Sequence, residues 1–249
     1  NVAESARPVK GVPVFIETTR FRVDMSEQGR YDAGMNLTEK TLGVRRVFEG
    51  RALTIDVADI ELPDGRRSTR EIVRHRGAAV ILGQRPDGCY VLVRQYRKAV
   101  EQALLEVVAG CLEEGEDPDE AARREMAEES GYDVISLRKI GVIVPCPGYS
   151  EERLHLYYAG LAQEPSGQRP DPDENLEPVV MTAEALDAAL DAGELIDGKS
   201  ITIWLLWRRV RQGATLNIQR STLKLWTRGG GAGCRGRRAP FAGARWRPL

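Results

Sequence analysis

The stretch GCLEEGEDPDEAARREMAEESGY, residues 110–132, is the most informative part of the chain because a loop, a helix and a helix stop follow one another within it. Asp117 is a suitable N-cap, Pro118 suits the first helical position, and Glu120 three residues after the cap predicts a capping box. Strong helix formers follow. Gly131 is the residue type that commonly ends a helix. The sequence therefore predicts a helix that begins near Pro118 and ends before Gly131.

Glutamates cluster on one face of this predicted helix. At about 100° per residue, Glu125, Glu128 and Glu129 lie within about a third of the helix circumference, and Glu116 lies in the preceding loop. Such carboxylates repel one another unless a cation lies between them. Hard cations such as Mg²⁺ prefer oxygen ligands of this kind, commonly completed by substrate phosphates. A solvated acidic helix face is the alternative interpretation.

The spacing resembles the Nudix box, G-x5-E-x7-R-E-U-x-E-E-x-G-U, in which U is an aliphatic residue. The matching positions are Gly110, Glu116, Arg124, Glu125, Met126, Glu128, Glu129 and Gly131. Tyr132 departs from the pattern at the last position, where the family usually has Ile, Leu or Val for a packing contact. The resemblance implies an α/β fold, the Nudix α/β/α sandwich with a mixed sheet, preceded here by an N-terminal antiparallel β subdomain.

Residues 45–212 are similar to the ADP-ribose pyrophosphatase branch of this superfamily. The similarity rests on REIVRH (70–75), VRQYR (93–97), LLEVVAG (104–110) and YSEERLHLYYA (149–159). The resemblance implies Mg²⁺-dependent hydrolysis of a nucleoside diphosphate derivative, with ADP-ribose giving AMP and ribose 5-phosphate. The alternative is a GDP-mannose or UDP-sugar pyrophosphatase, because these enzymes share much of the pattern. A non-catalytic nucleotide sensor is less favoured, since such domains typically lose box carboxylates that this chain keeps.

The resemblance also implies which residues bind the metal. Glu125 and Glu129 are the main ligands, Glu128 is a third, and Glu116 lies close by. The family also uses the backbone carbonyl before the box glycine, which is Ala109 in this chain. The ion implied is Mg²⁺, for which Mn²⁺ is a possible substitute.

The catalytic residues implied by the resemblance are Glu128, Glu129, Arg124 and a general base. In the family the box arginine pairs with a box glutamate and holds the loop against the helix, and a surface pair with Glu128 is the alternative. ADP-ribose enzymes often take the base from a loop after the box, which here is DENLE, residues 173–177. Glu174 aligns best and Glu177 next, while a solvated polar loop is the alternative.

Five residues are candidates for substrate contacts by the same resemblance: Arg70, Arg97, Glu71, Glu152 and Pro147. The two arginines match family arginines and are candidates for phosphate or adenine-ribose contacts, and Glu71 is a ribose candidate. Pro147 stands where ADP-ribose enzymes carry a proline. Glu151 and Glu152 either bind the ribose side or are surface charge, and exposed ion pairs are the alternative for the arginines.

Composition limits the function classes. A chain of 249 residues with 29% charged residues fits one large globular domain with extensions. Its formal net charge of −1 predicts neither nucleic-acid nor membrane binding. The four cysteines are scattered, which indicates a reducing compartment and no zinc site, and only two histidines exist, which argues against a histidine-based metal centre. No run approaches 18 apolar residues and no signal pattern is present, so we expect a cytoplasmic location.

We expect four parts along the chain. They are an extension with a strand (1–44), a β segment (45–76), the Nudix hydrolase domain (77–213) and a C-terminal extension (214–249). By resemblance to homodimeric ADP-ribose enzymes, the second part could cross to a partner chain. Residues 228–249 contain six arginines and no acidic residue. A nucleic-acid-binding or phosphate-binding tail and an extension without a role are the two interpretations of that segment.

Overall fold

The computed structural model describes residues 36–51, 53–169 and 175–212. These ranges contain ten strands and three α-helices. The strands are β1 (Lys40–Glu49), β2 (Thr54–Glu61), β3 (Arg67–Arg74), β4 (Ala78–Gln84), β5 (Tyr90–Arg97), β6 (Gln102–Glu106), β7 (Val108–Cys111), β8 (Val134–Ile143), β9 (Leu154–Leu161) and β10 (Leu176–Met181). The helices are α1 (Pro118–Ser130), α2 (Ala183–Asp191) and α3 (Gly198–Arg211). The strand expected at 14–23, the candidate base Glu174 and the Arg-rich segment lie outside the described residues.

The first three strands form an antiparallel sheet of their own, in the order β1-β2-β3. Pro63, Asp64 and Gly65 are residue types that favour turns. They join β2 to β3, where the Gly65 N–H donates to the Leu62 carbonyl at 2.9 Å. Gly65 has a φ of +82°, which glycine adopts without steric cost. The expected N-terminal antiparallel β subdomain is therefore confirmed.

A second sheet of seven strands forms the centre of the fold. Its main order is β10-β5-β4-β9-β8, with β6 paired to β5 and β7 paired to β4. The pair β4–β9 is parallel, and the other pairs are antiparallel. The sheet is therefore mixed, as the family resemblance implies.

The residues that lead into the 110–132 segment form two strands, β6 and β7. Up to Glu106 the chain pairs with β5, and from Val108 onward it pairs with β4. Val107 lies at the change of partner, and its N–H donates to the Ser200 hydroxyl on α3 at 2.8 Å. The start of β7, which leads into the 110–132 segment, is thus held by the side chain of Ser200 on α3, which is distant in sequence.

Helices cover both faces of the central sheet. Because successive strand residues face opposite sides, Val80 and Leu82 of β4 pack in one apolar cluster with Trp204 of α3. Ile81 packs in the other cluster with Met126 of α1. The α/β/α sandwich is therefore confirmed, with α1 on one face and α2 and α3 on the other.

Helix α1 begins and ends where the sequence predicts. Its N-cap is Asp117, whose carboxylate accepts a hydrogen bond from the Asp119 N–H at 2.7 Å. Gly131 ends the helix in the left-handed conformation, with a φ of +77°. The next residue, Tyr132, is buried in the apolar cluster beneath the helix, so the tyrosine serves the packing function of the usual aliphatic residue.

Two sequence expectations need correction. Glu177 was expected in a polar loop but lies on β10, where it pairs with Arg94 and its side chain is exposed. This strand is at the sheet edge and therefore accommodates Pro178, which has no N–H to donate. The amphipathic pattern of residues 200–212 predicts a helix that begins at Ser200, but helix α3 begins at Gly198 with Asp197 as its N-cap. No helix within the described ranges is long and apolar enough to cross a membrane.

Candidate active site

A cleft of about 580 Å³ lies across the ends of four strands of the central sheet. Its floor is a row of paired residues on four neighbouring strands, namely Cys111, Ala78, Leu154 and Ile143. The walls come from the end of β7, the segment 145–152 and the first turn of α3. The cleft therefore lies directly beside the residue where the 110–132 segment begins.

Gly110 brings the α1 carboxylates to this cleft. A Cβ atom at Gly110 would lie 1.9 Å from the carboxyl carbon of Glu125 and 2.1 Å from each of its oxygens. The Glu125 carboxylate thus occupies the space that any other residue's side chain would need. Gly110 lines the cleft and Glu125 is only 8% exposed, so the structure places a buried carboxylate against the cleft wall.

Arg124 is the hub of the carboxylate cluster. Its Nε and Nη2 donate to the two oxygens of Glu116, each at 2.9 Å. Its Nη1 donates to Glu125 at 2.7 Å and to Glu128 at 3.0 Å, and its Nη2 also donates to the Cys111 carbonyl at 3.2 Å. Arg124 therefore holds the loop against the helix, and the simple surface pair with Glu128 is wrong.

These contacts shift the proton equilibria of the cluster. Hydrogen bonds from Arg124 lower the pKa of Glu116, and a backbone N–H at Glu113 contributes in the same direction. Hydrogen bonding to Glu116 and the charge of Glu125 in turn raise the pKa of Arg124, although burial opposes them. The loop carboxylate and the arginine are thus both charged across the ordinary pH range.

The far end of α1 is held by residues that sequence analysis missed. The Gln168 side chain donates to the backbone carbonyl of Glu129 at 2.7 Å, and the Arg169 N–H donates to that of Glu128 at 2.9 Å. The last carbonyls of a helix have no partner within the helix, so this segment satisfies them. Glu129 itself is only 2% exposed, whereas the Glu128 side chain is 40% exposed.

The donor set fits a hard divalent cation. Within 36–51, 53–169 and 175–212, no three His, Cys, Asp or Glu side chains form a ready-made cage, and three carboxylates converge on Arg124 instead. The carboxylate resting on Gly110 and the buried Glu129 nevertheless offer oxygen ligands only, which is the chemistry that Mg²⁺ prefers. Glu116 is the carboxylate most committed to other partners, since both of its oxygens accept hydrogen bonds from Arg124.

Two basic side chains, Arg97 and Lys199, also line the cleft. Arg97 makes a two-pronged contact with the buried Glu106, with both donor–acceptor distances at 2.7 Å. Lys199 also donates to Glu106 and forms an ion pair with Asp197 at 3.1 Å. Burial alone would raise the pKa of Glu106, but the Arg97 hydrogen bonds and the charge of Lys199 outweigh it and lower the pKa.

The candidate substrate residues fall into two groups. Arg97 and Glu152 line the cleft, and exposed Pro147 lies in the turn beside the cleft residues Pro145 and Cys146. Arg70 and Glu71 lie on β3 in the three-stranded sheet and do not line this cleft within one chain. Arg70 there forms an ion pair with Glu39. Lys199 also lines the cleft, and no sequence pattern indicated it.

Cys111 lies close to two carboxylates, those of Glu125 and Glu152. Burial raises the pKa of its thiol, and the charges of Glu125 and then Glu152 raise it further. Its sulfur lies 3.7 Å from His75 Nε2, and the same nitrogen lies 3.6 Å from the Glu152 carboxylate. Glu152 of the cleft wall and the Glu125 carboxylate at Gly110 therefore both lie close to one free thiol.

We expect Arg124→Gln to lower the free energy of unfolding by about 2 kcal/mol, because three carboxylates lose their shared counter-charge in a partly exposed site. The pKa of Glu116 is lowered in the fold, so its stabilising contribution is present above about pH 4.3 and is lost as the pH falls through the folded-state value. The acid-side loss of stability should therefore be smaller in Arg124→Gln. Urea titrations across the acid range measure both effects.

Arg123→Gln is the matched control for that variant, because Arg123 is exposed and donates to the Val134 carbonyl rather than to a carboxylate. It should keep the wild-type acid profile. If the two variants behave alike, Arg124 is not the hub of the cluster.

The sandwich, the glycine-supported carboxylates and the adjoining cleft define a hydrolase of the Nudix class. The profile of the NUDIX domain matches residues 73–202, and the chain belongs to this family. Nudix hydrolases act on nucleoside diphosphate derivatives, generally with a divalent metal ion.

Named relatives lie within the same family. The chain is 36% identical over 166 residues to an ADP-ribose pyrophosphatase of Bacillus subtilis (strain 168), covering 66% of this chain and 90% of the relative. It is 36% identical over 169 residues to a methanol dehydrogenase activator of Bacillus methanolicus, covering 68% and 91%. A crystal structure of an ADP compounds hydrolase superposes with a TM-score of 0.64 at 23% identity, covering 72% of this chain and 98% of that one, and shows the same fold.

Proposed function

We propose that the protein hydrolyses ADP-ribose to AMP and ribose 5-phosphate with Mg²⁺. The observation that carries the proposal is the buried Glu125 carboxylate, which rests on Gly110 at the edge of a cleft large enough for a nucleotide derivative. The similarity to a relative named ADP-ribose pyrophosphatase over most of its length supports the choice of substrate.

Glu125 and Glu129 are the proposed main ligands of Mg²⁺, with Glu128 and the Ala109 carbonyl completing the protein's share. When bound, the ion neutralises charge that develops on the phosphoryl oxygens and orients the reacting groups. The exposure of Glu128 suits a ligand that contacts both solvent and metal. Glu116 acts mainly through Arg124, because its oxygens already accept hydrogen bonds from that residue.

The reaction breaks one P–O bond of the pyrophosphate. A water molecule attacks one phosphorus atom, the bridging oxygen leaves with the other phosphate, and a protein carboxylate takes the water's proton. Glu174 is the proposed general base, by resemblance, and it lies outside the described residues. Glu177 is a weaker candidate, because its exposed position on an edge strand is fixed by pairing with Arg94.

Substrate contacts come from both walls of the cleft. Arg97 is held by Glu106 through Nε and Nη2, which leaves its Nη1 group for a phosphate oxygen. Glu152 lines the cleft on the segment 145–152 and is a candidate for ribose hydroxyls, with Pro147 in the adjoining turn. The cleft therefore offers a cation for the pyrophosphate and a carboxylate for the sugar.

A homodimer is the proposed assembly. Strand β1 exposes Leu42, Val44, Val47 and Phe48, and an apolar surface of this kind commonly marks a protein interface. In such a dimer Arg70 and Glu71 of the same sheet could contribute to substrate binding. Sedimentation velocity tests the assembly, and a monomer at micromolar concentration would contradict it. A cytoplasmic location stays a prediction.

Relative kcat/KM values over a substrate panel test the proposed function. The panel is ADP-ribose, GDP-mannose, UDP-glucose, NADH and diadenosine polyphosphates, each with Mg²⁺ and with chelator. We expect ADP-ribose to lead by at least about tenfold, which corresponds to about 1.4 kcal/mol of transition-state preference. If GDP-mannose or UDP-glucose leads instead, the substrate assignment is wrong and the fold assignment stands.

A further inference from the structure

Strand β3 of the N-terminal sheet is hydrogen-bonded to the segment 145–152, which forms one wall of the cleft. The Val73 N–H donates to the Tyr149 carbonyl at 2.7 Å, and the Glu151 N–H donates to the Val73 carbonyl at 3.2 Å. Val73 also forms an isolated parallel bridge with Ser150. The segment 145–152 supplies Pro145, Cys146 and Glu152 to the cleft. The N-terminal sheet is thus directly attached to residues that line the site.

The Glu151 side chain closes this attachment. One of its oxygens accepts from Arg74 Nη1 at 2.7 Å, and the other accepts from the His75 N–H at 3.2 Å. Glu151 and Glu152 are neighbours in sequence but have different surroundings, because of the two only Glu152 lines the cleft. Glu151 is therefore a paired carboxylate that joins the wall to the N-terminal sheet.

Arg74 continues the chain of contacts into the N-terminal sheet. Its Nε donates to Asp56 at 2.8 Å, and Asp56 also accepts from Arg46 on β1 at 3.1 Å. Asp56 is only 6% exposed. All three strands of the sheet therefore contribute to a line of charges, Arg46–Asp56–Arg74, that ends on Glu151 beside the cleft.

We propose that Glu151 is a positioning residue: together with Arg74 it clasps the cleft wall 145–152 to the N-terminal sheet and so sets the affinity for the nucleoside diphosphate substrate. The inference rests on the proposed function for its kinetic consequence. A clasped wall is already in the binding-competent arrangement, whereas a released wall reaches it only part of the time. Apparent affinity falls by the competent fraction, while the turnover of bound substrate is unchanged.

The kinetic test compares Glu151→Gln with wild type on the preferred substrate of the panel. We expect KM to rise about tenfold and kcat to change by less than about twofold. Glu61→Gln is the matched control, because Glu61, like Glu151, pairs with a basic residue of the N-terminal sheet, in this case Lys40 at 4.0 Å, but lies outside the segment 145–152. An unchanged KM in Glu151→Gln, or an equal rise in Glu61→Gln, overturns the proposal.

A double-mutant cycle separates positioning from general loss of stability. Arg74→Lys keeps a charge for Asp56 but loses the planar fork that reaches both carboxylates. Because both residues act through one contact, we expect the double variant to have the KM of the worse single variant, whereas independent effects would multiply. Thermal unfolding of the four proteins is the parallel readout. A lowered melting temperature with an unchanged KM would mean that Glu151 has a structural role only.

Hydrogen–deuterium exchange tests the clasp without any substrate. Peptides that cover 145–153 should exchange faster in Glu151→Gln than in wild type, while peptides from α1 should not change. If the wild type hydrolyses nothing in the panel, the proposed function fails but this measurement still decides on the clasp. Equal exchange of 145–153 in both proteins overturns it.

Discussion

Glu129→Gln should lower kcat/KM for the preferred substrate by about a thousandfold, equivalent to about 4 kcal/mol of transition-state stabilisation. Gln has nearly the same shape as Glu but removes the negative charge that a divalent cation needs. Glu129 is 2% exposed, and the Gln168 side chain donates a hydrogen bond to its backbone carbonyl at the end of α1. Steady-state assays with saturating Mg²⁺ measure the loss of kcat/KM. Because excess Mg²⁺ keeps the metal site filled, a weaker metal affinity alone cannot explain the loss.

The free energy of unfolding of Glu129→Gln should be close to that of wild type or higher, in contrast to its lowered activity. The neutral side chain removes the repulsion from Glu125 and Glu128 and also removes the attraction to Arg97, so the two effects largely offset one another. We expect the free energy of unfolding to stay within about 1 kcal/mol of wild type or to increase. Glu120→Gln, an exposed site on the same helix, is the control and should keep wild-type activity. Wild-type activity in Glu129→Gln would contradict the assigned role.

Gly110→Ala should reduce activity by about a hundredfold with only a modest loss of stability. The new Cβ would lie 1.9 Å from the Glu125 carboxyl carbon, so the carboxylate must move. The end of a glutamate side chain is flexible, and the fold should therefore lose less than about 2 kcal/mol. A misplacement of about 1 Å in a reacting group is nevertheless enough to cost about two orders of magnitude in rate.

Gly43→Ala is the matched control for that variant, because a Cβ at Gly43 would meet no atom within 4 Å, Gly43 is not in the left-handed conformation, and it lies on β1 and does not line the cleft. It should behave as wild type. The pair of variants separates the steric effect on Glu125 from a general sensitivity to alanine. Equal activities in Gly110→Ala and wild type would show that the position of the Glu125 carboxylate does not matter for the reaction.

Local signals in the sequence were sufficient for α1 and for the choice of its acidic face. The N-cap Asp117 and the stop at Gly131 act on neighbouring residues, and helical periodicity places Glu125 and Glu129 together. The packing of Tyr132 could also be predicted, because its position follows the helix end directly. These features depend on contacts within a few residues, which a sequence displays.

Contacts between distant segments could not be predicted in the same way. The change of partner at Val107 leaves no mark in the alternation of apolar residues, because both halves are extended. The side chains of Gln168, Lys199 and Glu151 each meet a group from another element, and a single polar residue has no periodicity to reveal its partner. The sequence allows two interpretations of Arg124. Only the contact between the loop carboxylate of Glu116 and Arg124 on the helix decides between them.

We infer that this carboxylate cluster directs metal-dependent cleavage of a pyrophosphate bond. The most direct test is the ³¹P NMR spectrum of ADP-ribose incubated with the wild-type chain and Mg²⁺, and again with chelator. We predict that the pyrophosphate resonances are replaced by those of two phosphomonoesters, AMP and ribose 5-phosphate, in the presence of the metal only. Retained pyrophosphate resonances with Mg²⁺, for ADP-ribose and for every other substrate of the panel, or cleavage that persists in chelator, would contradict the claim.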